Sequence, residues 1–515
     1  MENAGQGAAS RRQFLKGAGA AVVAACSGCA GTAPAAGGPA GAPPQGLIRD
    51  ENAREGALDW QLTRVRLDKG GGFRSRLIEG YCSRQSVQAG EPLDIMVSTR
   101  PASRYTIEIF RMGFYGGRGA RLMTVLGPLQ GREQPDPPVA EKRLRECRWE
   151  PGATLKIPAD WPSGAYLGRL TTVPDAAGKP YWQSYVVFIV RDARRADVLF
   201  QCSDNTWQAY NRWPDDYSLY TDPRGAHARD VSVSFDRPYG RYCQIFEHPL
   251  SIGSGSFLLW EFPLAYWLEQ NGYDVTYCSN SDVLDAAQVT RCGAFLSVGH
   301  DEYWDLRQYD AVKAAIEAGV NVLWLSGNAV FAVSPFTPSA DGWPGRVLTR
   351  VGHFGGLTDA EFEAEIRVFT KEWKRAGPDE SLIMGARSIC PFNGGGDWVC
   401  VRPEHWIFEG TGMKKGDAIP GLVGWEHHGS PAKLPGLEVV AEGTSWRGGD
   451  VPAHWTATVH PGPKGNFVFN AATIFWAQGL SSPPGHILPW SHWSRPHGPD
   501  GRVQRITANL LRRAR

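Results

Sequence analysis

An apolar run that ends in ionisable residues is the part of this sequence best suited to chemistry. Residues 294–298 read Ala-Phe-Leu-Ser-Val, and His300, Asp301 and Glu302 follow almost at once. In an extended chain His300 and Glu302 point to one side and Asp301 to the other. Because ligands bind at the carboxyl ends of strands in an open α/β sheet, the pattern predicts a site that joins an imidazole to a carboxylate.

A helix start is the competing interpretation of the same residues. Residues 306–318 show the apolar periodicity of an amphipathic helix, and Gly319 lies where such a helix would end. Asp301 or Asp305 would then be its N-cap. The sequence leaves both interpretations open.

Polar residues follow each of four predicted strands in this region. The strands are predicted over residues 196–201, 274–277, 294–298 and 320–325. The polar groups that follow them are residues 203–205, 279–282, 300–302 and 326–328. Helical stretches lie between these strands, at 258–271 and 306–318, and such alternation predicts βαβ units and a parallel sheet. The four polar groups should therefore gather along one edge of that sheet.

The segment after the first of these strands is unusually aromatic. Residues 205–220 include Trp207, Tyr210, Trp213, Tyr217 and Tyr220. Such rings could line a ligand site, or they could pack the seam between this sheet and the preceding domain.

Several familiar catalytic motifs are absent from the sequence. It contains no G-x-S-x-G elbow, no H-E-x-x-H and no Walker loop. The turn after residue 298 offers His, Asp and Glu in place of a cysteine nucleophile, so nucleophilic catalysis is the weaker hypothesis. A metal-free hydrolase of glycans or peptidoglycan amides, acting through Asp301 and Glu302, stays an alternative.

The elements that must position these residues indicate a multidomain α+β protein. Period-two alternation over residues 93–98, 105–110, 163–170 and 182–190 predicts an Ig-like β-sandwich, which we assign to residues 58–193. A larger α/β domain with a mainly parallel, amidotransferase-like sheet is predicted over residues 194–485. Residues 486–515 should form a tail whose arginine-rich end is a solvated surface helix.

Charge and hydropathy exclude a nucleic-acid partner and a transmembrane helix. Lys and Arg total 54 and Asp and Glu total 53, so the near-neutral chain of 515 residues has no basic stripe for nucleic acid. No apolar run is long enough for a transmembrane helix.

The N-terminus resembles an export signal. Residues 10–16, Ser-Arg-Arg-Gln-Phe-Leu-Lys, precede a weakly apolar stretch, as in twin-arginine signals, and we assign the signal to residues 1–35 and a flexible linker to 36–57. Residues 23–26 also resemble a lipobox, which would attach lipid to Cys26. The expected location is the periplasm or the outer cell surface, with Cys26 as an alternative membrane anchor.

Disulfides are the default expectation for an exported chain. Eight cysteines remain after the signal, and none of them forms a C-x-x-C motif. The best local pairs are Cys390 with Cys400 and Cys278 with Cys292.

Several segments together resemble a known family. They are residues 79–84, 109–113, 205–211, 218–220, 235–239, 299–304 and 326–328. In these segments and over roughly residues 60–480 the chain resembles the large (beta) subunit of N,N-dimethylformamidase and exported proteins similar to its catalytic half.

That resemblance implies an enzyme that hydrolyses an amide at a mononuclear iron. Two tyrosines and one glutamate would hold the iron. By position, Tyr210 and Tyr220 would be the phenolate ligands and Glu302 the carboxylate; Tyr217 and Tyr239 are rivals for the second tyrosine.

The resemblance also implies catalytic or substrate-binding roles beside the metal. His300, Asn328 and Glu426 are the residues that match by position. The chemistry is consistent, since phenolate and carboxylate oxygens suit a ferric ion and such an ion would polarise an amide carbonyl. His300 could move a proton and Asn328 could stabilise an oxyanion.

Two further alternatives remain open at this point. His427 and His428 could bind zinc, although adjacent loop histidines more often face solvent. The chain could instead be a cell-envelope protein that binds a sugar or peptidoglycan fragment without turnover. If it is an enzyme, its substrate would be a small amide, and a small partner subunit or a homo-oligomer is expected.

Overall fold

The computed structural model describes residues 46–66, 73–174, 178–226, 228–241, 249–356, 374–389, 395–424, 426–447, 451–489, 494 and 496–515. The twin-arginine segment, Cys26, Cys390 and the predicted linker up to residue 45 lie outside these ranges.

The strands between residues 79 and 191 form two facing sheets. They are β1 (Glu79–Cys82), β2 (Ser86–Gln88), β3 (Pro92–Ser98), β4 (Arg104–Met112), β5 (Ala120–Gln130), β6 (Pro151–Lys156), β7 (Gly164–Thr172) and β8 (Gln183–Arg191). One sheet has the order β1-β3-β6 and the other β2-β8-β7-β4-β5. Leu93 and Ile95 of the first sheet share an apolar core with Ile107 and Ile109 of the second. The two sheets match the predicted sandwich arrangement, whereas the Ig-like topology stays a prediction.

The second half of the chain contains a seven-stranded sheet of order β11-β9-β12-β14-β25-β24-β23. The strands from β9 onward are β9 (Ala196–Gln201), β10 (Val231–Ser234), β11 (Val275–Cys278), β12 (Cys292–His300), β13 (Tyr303–Trp304), β14 (Asn321–Gly327), β15 (Ala332–Val333), β16 (Phe336–Thr337), β17 (Val347–Arg350), β18 (Gly352–His353), β19 (Ala386–Ile389), β20 (Gly396–Val399), β21 (Ala418–Val423), β22 (His427–Pro431), β23 (Glu438–Arg447), β24 (Val451–Pro461) and β25 (Phe467–Asn470). The pairings from β11 through β25 are parallel, as predicted. β24 and β23 add an antiparallel edge that the sequence did not reveal.

The helices of the described ranges are α1 (Leu47–Asn52), α2 (Asp204–Tyr210), α3 (Phe262–Gln270), α4 (Ala286–Val289), α5 (Leu306–Ala318), α6 (Ser381–Met384) and α7 (Gly501–Arg513). α5 has the predicted bounds and ends at Gly319, whose φ is 102°. The stretch predicted over 258–271 is a π-helical turn over Phe257–Glu261 followed by α3. None of these helices combines the length and the apolarity that crossing a membrane requires.

The C-terminal helix differs from its prediction. α7 was expected to be a solvated surface helix, but Val503, Ile506 and Leu510 are fully buried in the main core. Its arginines occupy the other face, and Arg512 pairs with Glu409 at the surface. The helix is therefore amphipathic, as predicted, but its apolar face packs into the core of the protein.

The cysteine prediction is wrong for Cys278 and Cys292. Both are free thiols, and none of the cysteines in the described part of the chain forms a disulfide. Cys278 pairs with one side of β9 and Cys292 with the other. Two interstrand spacings of about 4.8 Å therefore separate them, whereas a disulfide needs Cα atoms within about 7 Å. Cys400 is also a free thiol, and its predicted partner Cys390 lies outside the described residues.

Candidate metal centre

The polar groups after the parallel strands meet at one edge of the sheet, as predicted. Asn280 after β11 accepts the Asn205 N–H at 3.0 Å and donates its side-chain amide to Asp301 at 3.0 Å. The hydroxyls of Ser297 on β12 and Ser326 on β14 lie 3.0 Å apart. This edge therefore brings together residues at or just beyond the ends of β9, β11, β12 and β14.

Helix α2 is tied to the segment that follows β12. The Asn205 side-chain amide donates to the Tyr303 carbonyl at 2.9 Å, and Thr206 Oγ1 accepts the Glu302 N–H at 3.0 Å. α2 ends at Tyr210. These two bonds fix Tyr210 beside Glu302, although 92 residues separate them in sequence.

A glycine makes the approach to His300 feasible. Gly299 has φ +68°, and a Cβ at this position would lie 2.9 Å from the Trp260 Cβ. A larger residue would be strained in this conformation and would contact Trp260. Beyond this point His300 and Glu302, each 2% exposed, face the same cluster of side chains.

Two phenols converge on the Glu302 carboxylate. Tyr210 Oη donates to Glu302 Oε2 at 2.9 Å and Tyr220 Oη donates to Oε1 at 2.8 Å. The two phenolic oxygens are 3.3 Å apart. Two ligand atoms bound at right angles about 2.1 Å from one small cation lie about 3 Å from each other. The spacing and the hard oxygen donors therefore fit a small hard cation.

His300 joins a second carboxylate to the cluster. Its Nε2 contacts Glu426 Oε2 and lies 3.3 Å from Glu302 Oε2. Ligand atoms of His300, Glu302 and Glu426 all lie within 4.8 Å of one another. Glu426 comes this close because position 327 is glycine, where a Cβ would lie 2.4 Å from the Glu426 carbonyl oxygen.

Burial controls protonation in this cluster. It lowers the pKa of His300 to about 4, and together with the nearby Glu426 it raises the pKa of Glu302 to about 7. Burial also raises the pKa of Glu426 well above its usual value. Both shifts favour the uncharged form of the group, imidazole for His300 and carboxyl for Glu426.

The phenols respond to the same environment. Burial and the negative charge of Glu302 raise the pKa values of Tyr210 and Tyr220 well above the usual range. A cation among the oxygens would reverse this effect, since it favours the phenolate form. Burying phenolate and carboxylate anions without a counter-charge costs free energy. A bound cation would therefore stabilise the ionised form of these donors.

Asn328 is held by its neighbours in a left-handed conformation with φ 46°. Ser388 Oγ donates to its Oδ1 at 2.9 Å. Burial raises the pKa of Glu426, and the Asn328 side chain opposes that rise in part. The next N–H, of Ala329, donates to His428 Nε2 at 3.1 Å. Asn328 therefore presents its Nδ2 toward the cluster.

His427 and His428 are not exposed, contrary to the expectation. Both are 0% exposed. Because His428 Nε2 accepts the Ala329 N–H, its Nδ1 must donate to Asn470 Oδ1, 2.5 Å away. His427 Nε2 lies 2.8 Å from Ser445 Oγ. Hydrogen bonds thus occupy both nitrogens of His428 and the Nε2 of His427, while His427 Nδ1 is buried without a hydrogen-bond partner among the described residues. Neither histidine belongs to the group of His300, Glu302 and Glu426, whose ligand atoms converge.

Asp301 faces away from the cluster, which removes the paired-acid hypothesis. Its carboxylate accepts hydrogen bonds from Gln201 at 2.6 Å, Asn280 at 3.0 Å and Ser297 at 2.8 Å.

The helix-start interpretation is correct for Asp305, which accepts the Arg307 N–H at 2.9 Å as the N-cap of α5.

The rival tyrosines lie apart from the Glu302 carboxylate. The Tyr217 ring packs under the guanidinium groups of Arg143 and Arg145 at 4.8 and 4.5 Å. The Tyr239 ring packs edge-on against Trp207 at 6.2 Å. Of the four candidates, Tyr210 and Tyr220 are the pair whose hydroxyls reach Glu302.

Tyr303 is the residue that the sequence did not single out. Its hydroxyl contacts the Tyr220 hydroxyl, and it is 0% exposed. Its position directly after Glu302 was the available signal.

Comparison with known proteins identifies a family for this chain. No curated protein shows significant similarity to the chain. The chain matches the family described as N,N-dimethylformamidase beta subunit-like, C-terminal, over residues 106–489. The matched region contains Tyr210, Tyr220, His300, Glu302 and Glu426 and more than half of the 515 residues. The chain therefore belongs to the N,N-dimethylformamidase beta subunit-like family.

Proposed function

We propose that this protein is a metal-dependent hydrolase that cleaves the C–N bond of a small amide, with a ferric ion held by Tyr210, Tyr220 and Glu302. The observation that carries the proposal is the convergence of two phenol oxygens, at 2.9 and 2.8 Å, on the two oxygens of one buried carboxylate. Family membership supports the same chemistry. When bound, the ion would supply Lewis acidity toward the amide carbonyl.

His300 is the proposed general base. Its lowered pKa, about 4, keeps the imidazole neutral at neutral pH, so Nε2 can accept a proton from water. Its position between Glu302 and Glu426 holds the ring at the edge of the metal site.

Glu426 and Asn328 complete the proposed machinery. Burial raises the pKa of Glu426 and so favours its protonated form, from which the carboxyl can deliver a proton to the departing nitrogen. The Asn328 amide, oriented by Ser388, can donate to the oxygen on which negative charge develops.

A second ligand set is available in the same cluster. His300, Glu302 and Glu426 could together bind an ion such as zinc through one nitrogen and two carboxylates. The two sets share Glu302 and differ in the tyrosines, so tyrosine variants distinguish them.

Export and partners belong to the same proposal. Residues 10–16 support export by the twin-arginine route to the periplasm or outer surface, with lipid on Cys26 as the anchored alternative. We expect a homo-oligomer or a small partner subunit, because the family resemblance is to one subunit of an enzyme.

Metal analysis of the chain produced in an iron-replete host tests the proposal. We expect about one iron per chain and a tyrosinate-to-iron absorption band. Tyr210→Phe, Tyr220→Phe and Glu302→Gln should lose both. Tyr217→Phe is the matched control, because it removes a nearby hydroxyl outside the cluster and should keep both.

Two results would reject the ligand assignment. One is a wild-type chain without stoichiometric iron or the band. The other is metal that survives in Tyr210→Phe and Tyr220→Phe but is lost in His300→Ala, which would assign the second ligand set. Hydrolysis of a panel of small amides, beginning with N,N-dimethylformamide, then tests the activity.

A further inference from the structure

A third buried phenol, that of Tyr303, contacts one of the proposed tyrosine ligands. The Tyr303 hydroxyl contacts the Tyr220 hydroxyl, and the two rings meet nearly edge-on at 6.5 Å and 79°. Tyr303 also packs edge-on against Tyr210 at 6.3 Å, but its hydroxyl is directed to Tyr220. The three phenols therefore do not form a symmetric group.

The direction of the hydrogen bonds makes Tyr303 a donor. Tyr220 Oη lies 2.8 Å from Glu302 Oε1. If Tyr220 gives up its proton to become a ligand, its oxygen can only accept hydrogen bonds. Tyr303 Oη contacts this oxygen, and so does Tyr210 Oη at 3.3 Å, but Tyr210 as the other ligand would have no proton to donate. β13 holds the Tyr303 backbone by pairing with β15. Tyr303 can therefore keep its proton and donate it to the Tyr220 oxygen.

Arg350 acts on the same tyrosine. Its guanidinium lies 5.0 Å from the centre of the Tyr220 ring, where a cation is attracted to the π face. Its Nη2 donates to the carbonyls of Leu219 and Ala228 at 2.9 and 2.8 Å, which fix the group in place. Negative charge on Tyr220 is thus stabilised from two sides.

We propose that Tyr303 is a positioning residue that donates a hydrogen bond to the Tyr220 oxygen, so that Tyr220 is the weaker electron donor of two inequivalent tyrosinate ligands. This inference rests on the proposed function, because it requires Tyr210 and Tyr220 to hold iron. A charge-assisted hydrogen bond stabilises the phenolate electrons and lowers their donation to the metal. Groups that hydrogen-bond to ligands tune a metal site in this way.

Tyr303→Phe in the iron-loaded full chain tests the inference. The variant should still bind one iron, with affinity weaker by up to about 10- to 100-fold. Its tyrosinate-to-iron band should move to longer wavelength, and its reduction potential should become more negative, because Tyr220 becomes the stronger donor. Tyr217→Phe is the matched control and should leave the band and the potential unchanged.

A measurement on the wild-type chain covers the case in which Tyr303→Phe does not fold. Resonance Raman spectra in water and in D2O should show a shift in the C–O stretch of one tyrosinate and little change in the other.

The possible failures are distinct. A wild-type chain without iron or the band overturns the proposed function and this inference with it. Iron-loaded wild type with an unshifted band in Tyr303→Phe, or equal D2O responses of both tyrosinates, overturns the inference alone. Loss of iron from Tyr303→Phe under saturating metal would make Tyr303 itself a ligand and would also overturn it.

Discussion

Glu302 is the residue at which two kinds of chemistry meet. The phenols of Tyr210 and Tyr220 contact its two oxygens, while His300 lies 3.3 Å from Oε2. Burial raises its pKa to about 7, so the carboxylate form needs a positive neighbour. A bound metal would supply that neighbour, so this residue links the binding and the catalytic parts of the proposal.

His460 is a second buried titratable group, and burial alone accounts for the shift in its pKa. This histidine on β24 is 6% exposed, and its Nδ1 has no hydrogen-bond partner among the described residues. Burial lowers its pKa from 6.5 to about 4. Between pH 6.5 and pH 4 the unfolded chain therefore binds more protons at His460 than the folded chain does. The contribution of His460 to the free energy of unfolding is fully present above pH 6.5 and is lost as the pH falls toward 4.

His460→Leu should remove this pH dependence. At pH 5 the wild-type imidazole should lower the free energy of unfolding by about 2 kcal/mol relative to pH 7.5, and the leucine variant should escape that loss. Urea unfolding of both proteins at the two pH values measures the difference. Because buried carboxyls such as Glu380 shift in the opposite sense, the comparison between variants, not the wild-type curve, is the test. Parallel pH dependence in the two proteins would contradict the assignment.

At the scale of elements, a short helix positions the site. α2 spans seven residues, too few for stability by propensity alone. Its side chains Asn205 and Thr206 instead bond to the backbone of Tyr303 and Glu302. The helix that carries Tyr210 therefore also anchors the segment that carries Glu302.

Thr206→Val should loosen this anchor. The substitution conserves shape but leaves the buried Glu302 N–H without its acceptor, which costs about 1 to 3 kcal/mol. We expect lower stability by that amount and weaker iron binding, measured by urea unfolding and metal titration. Thr206→Ser keeps the hydroxyl and should restore both. Equal iron affinity in all three proteins would show that the bond does not position Glu302.

At the scale of the whole molecule, a buried ion pair links the sandwich to the α/β part. Arg111 on β4 donates two hydrogen bonds, at 2.9 and 2.8 Å, to Glu269 on α3. Both side chains are 0% exposed. Tyr277 donates to the same carboxylate at 2.9 Å. The described residues belong to one compact unit, and this network crosses its interior.

Arg111→Met should be strongly destabilising, because it leaves the Glu269 charge buried without its partner. We expect a loss of about 3 to 5 kcal/mol in the free energy of unfolding. The double variant Arg111→Met with Glu269→Gln should recover much of that loss, and urea unfolding of the cycle measures the coupling. Additive effects of the two substitutions would contradict a direct interaction.

The sequence by itself determined the local elements and the edge at which the site forms. The apolar run before Gly299, the period of α5 and the glycine after it depend on interactions between near neighbours, so they can be read from spacing. The same information placed Glu302 and His300 on one side of an extended segment. Similarity to the family supplied the identities of Tyr210, Tyr220, Asn328 and Glu426, which no local pattern distinguishes.

Tertiary structure alone decided which distant side chains meet. Tyr220 reaches Glu302 across 82 residues, and Tyr303 reaches Tyr220 across 83. It also placed Cys278 and Cys292 on opposite sides of β9 and buried one face of α7. These outcomes depend on strand order and on the packing of loops against one another. The spacing of residues along the chain determines neither, because crossovers of many different lengths can lead to the same final contact.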